Sequence, residues 1–182
     1  MNKMLKLPLF LGVCGTVCAG LLAGVYALTN PIVQKAKAEK ANAAYISMYS
    51  EFGVVGTDVT TEEVDNIAGC SLRAIIVNAN VKGIAYTCQA SGYGGTISFQ
   101  IAFANGKYLA YTDLGNSETN GYGKVVIAGM TDTIAGVDAS TSLDDYAAYS
   151  TLISGKSITG KALKSTIELC RADYLAWYEA NK

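Results

Sequence analysis

Ile97, Phe99, Ile101 and Phe103 alternate with Ser98, Gln100 and Ala102. Successive strand side chains point to opposite faces, so this period of two predicts a strand over 96–104 with one apolar face. Asn105-Gly106 follows. Both residues accept positive φ, which predicts a two-residue hairpin turn and a return strand over 107–114. Upstream, two β-rich runs flank Asn78-Ala79-Asn80 and predict a second hairpin. With those three residues as the loop, Val77 faces Val81 and Cys70 faces Cys88. From Ile158 onward the period changes. Leu163, Ile167, Cys170, Tyr174 and Trp177 recur at spacings of three and four, with Lys161, Lys164, Glu168 and Arg171 among the polar positions. That is an amphipathic terminal helix. The intervening segments are less definite. Residues 53–69 read as a polar connection holding a short helix capped at Thr60 or Thr61. Residues 125–130 and 133–137 read as a strand or a buried segment, and 140–149 as one or two capped helical turns. These elements predict an α+β fold of antiparallel β-hairpins packed with helices.

The first residues follow another pattern. Residues 7–28 carry no charge, with Lys3 and Lys6 before them and Lys35, Lys37 and Lys40 after. At about 1.5 Å per residue, this run crosses a hydrocarbon core of roughly 30 Å. One N-terminal transmembrane helix is expected within 1–29. A cleaved secretory signal ending at Ala27 is the competing reading, but its apolar stretch is usually only about 7–15 residues. The retained anchor is therefore preferred. Residues 30–52 open on Thr29-Asn30-Pro31 and continue as an Ala-rich run to Tyr49, which reads as a helical stalk. Residues 53–182 form the expected domain. With the N-terminus inside the cell, that domain lies on the extracytoplasmic side of the membrane. Lysines at both ends of the run make charge asymmetry a weak guide to orientation.

Charge and composition narrow the chemistry. The net charge is −1 with no long run of one sign, which argues against nucleic acid as a partner. There is no histidine. Zinc sites of the usual His type, His general bases and Ser-His triads are thereby removed. No catalytic residue and no metal site is assigned. Of the five cysteines, Cys14 and Cys18 lie in the apolar run, where they act as small apolar residues. Cys70 and Cys88 are open between a cross-strand disulfide and two buried thiols. Cys170 falls on the apolar face of the terminal helix.

Three loops carry candidate chemistry: Gly92-Tyr93-Gly94-Gly95, Ser117-Glu118-Thr119-Asn120-Gly121-Tyr122-Gly123, and Ser154-Gly155-Lys156-Ser157-Ile158-Thr159-Gly160. The last precedes a helix, where backbone N–H groups favour an anion and Lys156 adds positive charge. The bland reading makes Ser157 an N-cap worth about 1 kcal/mol. Gly155-Lys156-Ser157 lacks the upstream glycine of a phosphate-binding P-loop. Tyr93 and Tyr122 are placed to pack on a flat ring.

Taken in order, the anchor, the stalk and these three loops resemble the FMN-binding domain family. That family includes flavin-carrying components of the Rnf electron-transport complex and of the sodium-translocating NADH:quinone reductase. The middle loop of the family reads Glu-Thr-Pro-Gly-Leu-Gly, against Glu118-Thr119-Asn120-Gly121-Tyr122-Gly123 here. Its terminal loop reads Asp-x-x-Ser-Gly-Ala-Thr-x-Thr-Ser. Here Thr151 stands at the Asp, Lys156 at the Ala, Ser157 at the esterified Thr and Gly160 at the last Ser. The resemblance implies FMN as cofactor, attached through a Ser157 phosphoester by a flavin transferase or held non-covalently. Gly155, Lys156 and Thr159 would position the phosphate. Glu118, Thr119, Gly121, Tyr122 and Gly123 would contact the flavin. The implied role is a membrane-anchored, extracytoplasmic electron carrier within an ion-translocating oxidoreductase, with other membrane redox subunits as partners. The alternative is a cofactor-free relative acting as an assembly or binding module at the cell surface.

Overall fold

The computed structural model describes residues 12, 15–16, 18–29 and 42–182. The chain divides into two compact units, Met1–Ala41 and Asn42–Lys182. In the first, residues 18–29 are helical. Residues 7–11, 13–14 and 17 of the run expected to span a membrane, 7–28, lie outside the described residues. Among the described residues, no helix is long and apolar enough to cross a membrane.

The second unit is α+β. Its five strands are β1 (Val59–Glu63), β2 (Cys70–Val77), β3 (Lys82–Ser91), β4 (Thr96–Ala104) and β5 (Lys107–Asn116). They pair antiparallel in chain order, each with its neighbour. Residues 42–48 form α1. Then come α2 (Gly123–Ile134), α3 (Ala147–Leu152) and α4 (Ser157–Ala180).

The two hairpins reward different parts of the sequence reading. Asn105 and Gly106 have φ of 49° and 82°, as the β4–β5 turn requires. The β2–β3 register differs from the expected one: Val77 pairs with Lys82, not with Val81. A bulge between Cys70 and Leu72 absorbs the one-residue offset and restores the Cys70–Cys88 pair. The two are joined in a disulfide.

Residues 59–63 are a strand rather than the expected short helix. Val-Thr-Thr is β-branched and suits a pleated edge, and it pairs with Ile76 to Ala74. The apolar run 125–130 and the first two residues of 133–137 belong to helix α2, which buries Val126, Ile127, Met130 and Ile134. Their spacing of one, three and four fits one helical face.

Both faces of the sheet are covered. On one, Ile84, Tyr86 and Cys88 of β3 join Ile97, Phe99, Ile101 and Phe103 of β4 beneath Leu163, Ile167, Cys170 and Tyr174 of α4. Phe103 stacks on Tyr174 with ring centroids 4.9 Å apart. The other face carries small side chains: Ala74, Ala85, Ala102 and Ala104 are buried there. Tyr45 and Tyr49, from the segment expected to be stalk, are wholly buried. The Tyr45 hydroxyl lies 2.5 Å from Thr87 Oγ1, and the Tyr49 hydroxyl donates to the Phe103 carbonyl at 2.6 Å. A Cβ on Gly83 would stand 2.6 Å from the Tyr49 ring, so only glycine admits the tyrosine here. The expected polar face of β4 is therefore an interior. Gln100 is fully buried and donates to Thr87 Oγ1 at 3.1 Å.

Candidate functional site

Three connections meet at one end of the sheet. The β3–β4 turn brings Gly92 to Gly95, the β5–α2 loop brings Glu118 to Gly123, and the α3–α4 loop brings Gly155 to Thr159. A cavity of about 360 Å³ lies between them, lined by Tyr93, Glu118, Thr119, Tyr122, Gly123, Gly155, Lys156, Ser157, Ile158 and Thr159. Every candidate site residue except Gly121 borders it. Gly121 has φ of 78° and makes the turn ahead of α2. Tyr93 is one of the two tyrosines that the sequence places for ring packing. Ile158, 56% exposed, is an addition that the sequence hides, because it falls among the apolar positions of the terminal helix.

Glu118 ties the three loops together. It is 4% exposed. Its Oε1 accepts the Gly94 N–H at 2.9 Å, and its Oε2 accepts the Thr159 hydroxyl at 2.8 Å. Two donors satisfy its two oxygens, which lowers the cost of burying so polar a side chain. The glycines around it make the space. A Cβ on Gly123 would collide with Oε2, and one on Gly92 would collide with Oε1. From the sequence, Glu118 is expected to contact the flavin and Thr159 to position its phosphate. The geometry engages each with the other.

Two helix N-termini open on this cavity. The N-cap of α2 is Tyr122 and that of α4 is Lys156, and neither makes a side-chain capping bond. Ser157 is thus the first helical residue of α4 rather than its cap, and its side chain is exposed. Gly155, with φ of 72°, bends the chain into α4. Behind the first turn, the buried Tyr149 hydroxyl donates to the Gly160 carbonyl at 2.6 Å. Burial pushes that phenol well above its ordinary range. On the α4 side, uncapped N–H groups and the Lys156 ammonium offer donors suited to an anion, while Glu118 borders the same cavity. Exposed Tyr93 and Tyr122 form an aromatic rim.

Set beside known proteins, the chain matches no family model and no curated relative.

Proposed function

We propose that this protein is a membrane-anchored, extracytoplasmic flavoprotein electron carrier that holds FMN in the cavity between the β3–β4, β5–α2 and α3–α4 loops. The observation that carries this reading is the uncapped start of α4, with exposed Ser157 and neighbouring Lys156 bordering the cavity. The residues present fit such a group. The cavity volume is in the range of small-molecule sites, roughly 300–1,000 Å³. Its donors are backbone N–H groups and an ammonium, which match a phosphate, and its rim is aromatic, which matches a flat ring. Lys156 and the N–H groups of the first α4 turn bind and orient the anion. The Ser157 hydroxyl is exposed where a flavin transferase would esterify it. Tyr93 and Tyr122 shield the ring from water. Glu118 and Thr159 fix the loops against each other. When bound, FMN supplies the redox chemistry, and the protein sets its position and surroundings. The anchor within residues 1–29, and membrane redox subunits as partners, belong to the same proposal.

The test is an absorbance titration of the purified full chain with FMN, followed by in-gel fluorescence after co-expression with a flavin transferase. Saturable binding that Lys156→Glu weakens at least tenfold supports the reading. A fluorescent denatured band that Ser157→Ala abolishes adds the covalent bond. No spectral change at any FMN concentration overturns the proposal in favour of a cofactor-free binding module.

A further inference from the structure

Away from the cavity, the sulfur of Cys170 lies 3.3 Å from that of Cys70 and 3.6 Å from that of Cys88. The three come from β2, β3 and α4 and close a triangle against the sheet. The Cys170 thiol is buried and free. Thiol–disulfide exchange is the obvious chemistry of such a group, but the placement opposes it. Displacement at sulfur needs the entering thiolate in line with the bond that breaks. Cys170 stands nearly equidistant from both partners, abreast of the bond. The same placement suits another use. A metal–sulfur bond of about 2.3 Å puts the sulfurs of a trigonal site about 4 Å apart. Opening the Cys70–Cys88 bond lets those two sulfurs separate toward that spacing, with Cys170 already near it.

We propose that the reduced protein holds one thiophilic d10 metal ion on the sulfurs of Cys70, Cys88 and Cys170, and that the disulfide form is its metal-free state. Two electrons and two protons from a dithiol or phosphine reductant open the bond and leave three thiols; the reductant becomes a disulfide or, with water, a phosphine oxide. The ion then displaces thiol protons to solvent and forms metal–sulfur bonds. Soft thiolates select copper(I) or zinc-group ions over hard cations. Among the described residues, no fourth His, Cys, Asp or Glu joins the cluster. Asp173, one turn beyond Cys170, is engaged by the Arg73 guanidinium at 2.8 Å and the Tyr86 hydroxyl at 2.6 Å. Arg73 also holds Glu62 at 2.5 Å, so its charge is balanced by two carboxylates and the cluster relies on metal–sulfur bonding itself.

The experiment uses the full chain carrying Cys14→Ser and Cys18→Ser, so that these three are its only thiols. The phosphine-reduced protein is titrated with Cu(I) against a bicinchoninate competitor, and separately with Cd(II) by sulfur-to-metal charge-transfer absorption. One equivalent of either ion is expected, held at least tenfold more tightly than by the oxidised protein or by the reduced protein in urea. The two arms distinguish a monovalent from a divalent occupant. Cys170→Ala, which leaves the disulfide pair intact, is expected to weaken binding at least tenfold after reduction. Cys88→Ala tests the site from the sheet side with the same expectation. Equal affinity in the oxidised form, in urea or in both variants overturns the proposal, as does failure to bind either ion.

Discussion

Glu118 is the residue on which the site's shape turns. Its two oxygens are satisfied by one backbone N–H and one hydroxyl from separate loops. Glu118→Ala leaves both donors without their acceptor, at about 1–3 kcal/mol for a buried group. A lower melting temperature and weaker FMN binding are expected together, read by thermal denaturation and titration. Gly123→Ala should cost about 1–3 kcal/mol by crowding the same carboxylate. An alanine variant of wild-type stability would contradict the wedge of Glu118 between Gly92 and Gly123. By contrast, Ser157→Ala removes no capping bond and should shift stability by less than about 0.5 kcal/mol. Glu118, Thr159 and the helix start are legible together in the sequence because all three stand in loops rich in glycine and hydroxyls. The bond between Glu118 and Thr159 is not legible there. Forty-one residues separate them, and no local spacing encodes a contact between loops at that distance.

At the scale of elements, the instructive segment is residues 42–52. It continues an Ala-rich run that follows an apolar stretch, which makes it look like the end of a spacer. Its tyrosines at 45 and 49 are instead one helical turn apart and fill the second face of the sheet. The alternation along β4 hides this face, because Ala102, Ala104 and Gln100 read as the outward side of a strand. Small residues there leave room for a covering segment, as Gly83 does for Tyr49. Where the pattern is strong, as in the Asn105-Gly106 hairpin and the period of α4, it locates the element closely. Val59 to Glu63 escapes because an edge strand with one pairing partner carries little alternation. A chain beginning at Asn42 should fold, whereas one beginning at Gly53 exposes Ala74, Ala85 and Ala102. Burying a large side chain is worth about 1.5–3 kcal/mol. Loss of both tyrosines should therefore lower the urea midpoint sharply or leave the shorter chain aggregated, as size-exclusion chromatography and urea titration would report. Equal midpoints for the two chains would refute the covering role.

Across the whole molecule, buried tyrosines set the response to alkali. Burial raises the phenols of Tyr45, Tyr49, Tyr86, Tyr108, Tyr111, Tyr149 and Tyr174 above the ordinary value of about 10. That of Tyr174 is pushed up to about 12. A group whose folded value is raised contributes its full stability below the unfolded value and loses it as pH climbs toward the folded one. Each such tyrosine removes about 1.4 kcal/mol per pH unit above about 10, because only the unfolded chain then releases its proton. The part of the tyrosinate absorbance that belongs to these seven of the twelve tyrosines should therefore rise in one cooperative step between about pH 10 and 12, coincident with loss of circular dichroism. A gradual rise with an ordinary midpoint and intact dichroism would exclude these phenols from the interior.

The order of assembly follows from where α4 packs. The strands pair in chain order and can associate as they emerge from synthesis. One face of the sheet centre stays bare until α4 arrives, because that helix follows every strand in the chain and covers β3. The cavity takes its final wall from the first turn of that same helix. A ligand for this mouth, or an enzyme that modifies it, therefore meets its target only once α4 has been made, and a chain cut before Ser157 has neither a closed interior nor a receptive opening.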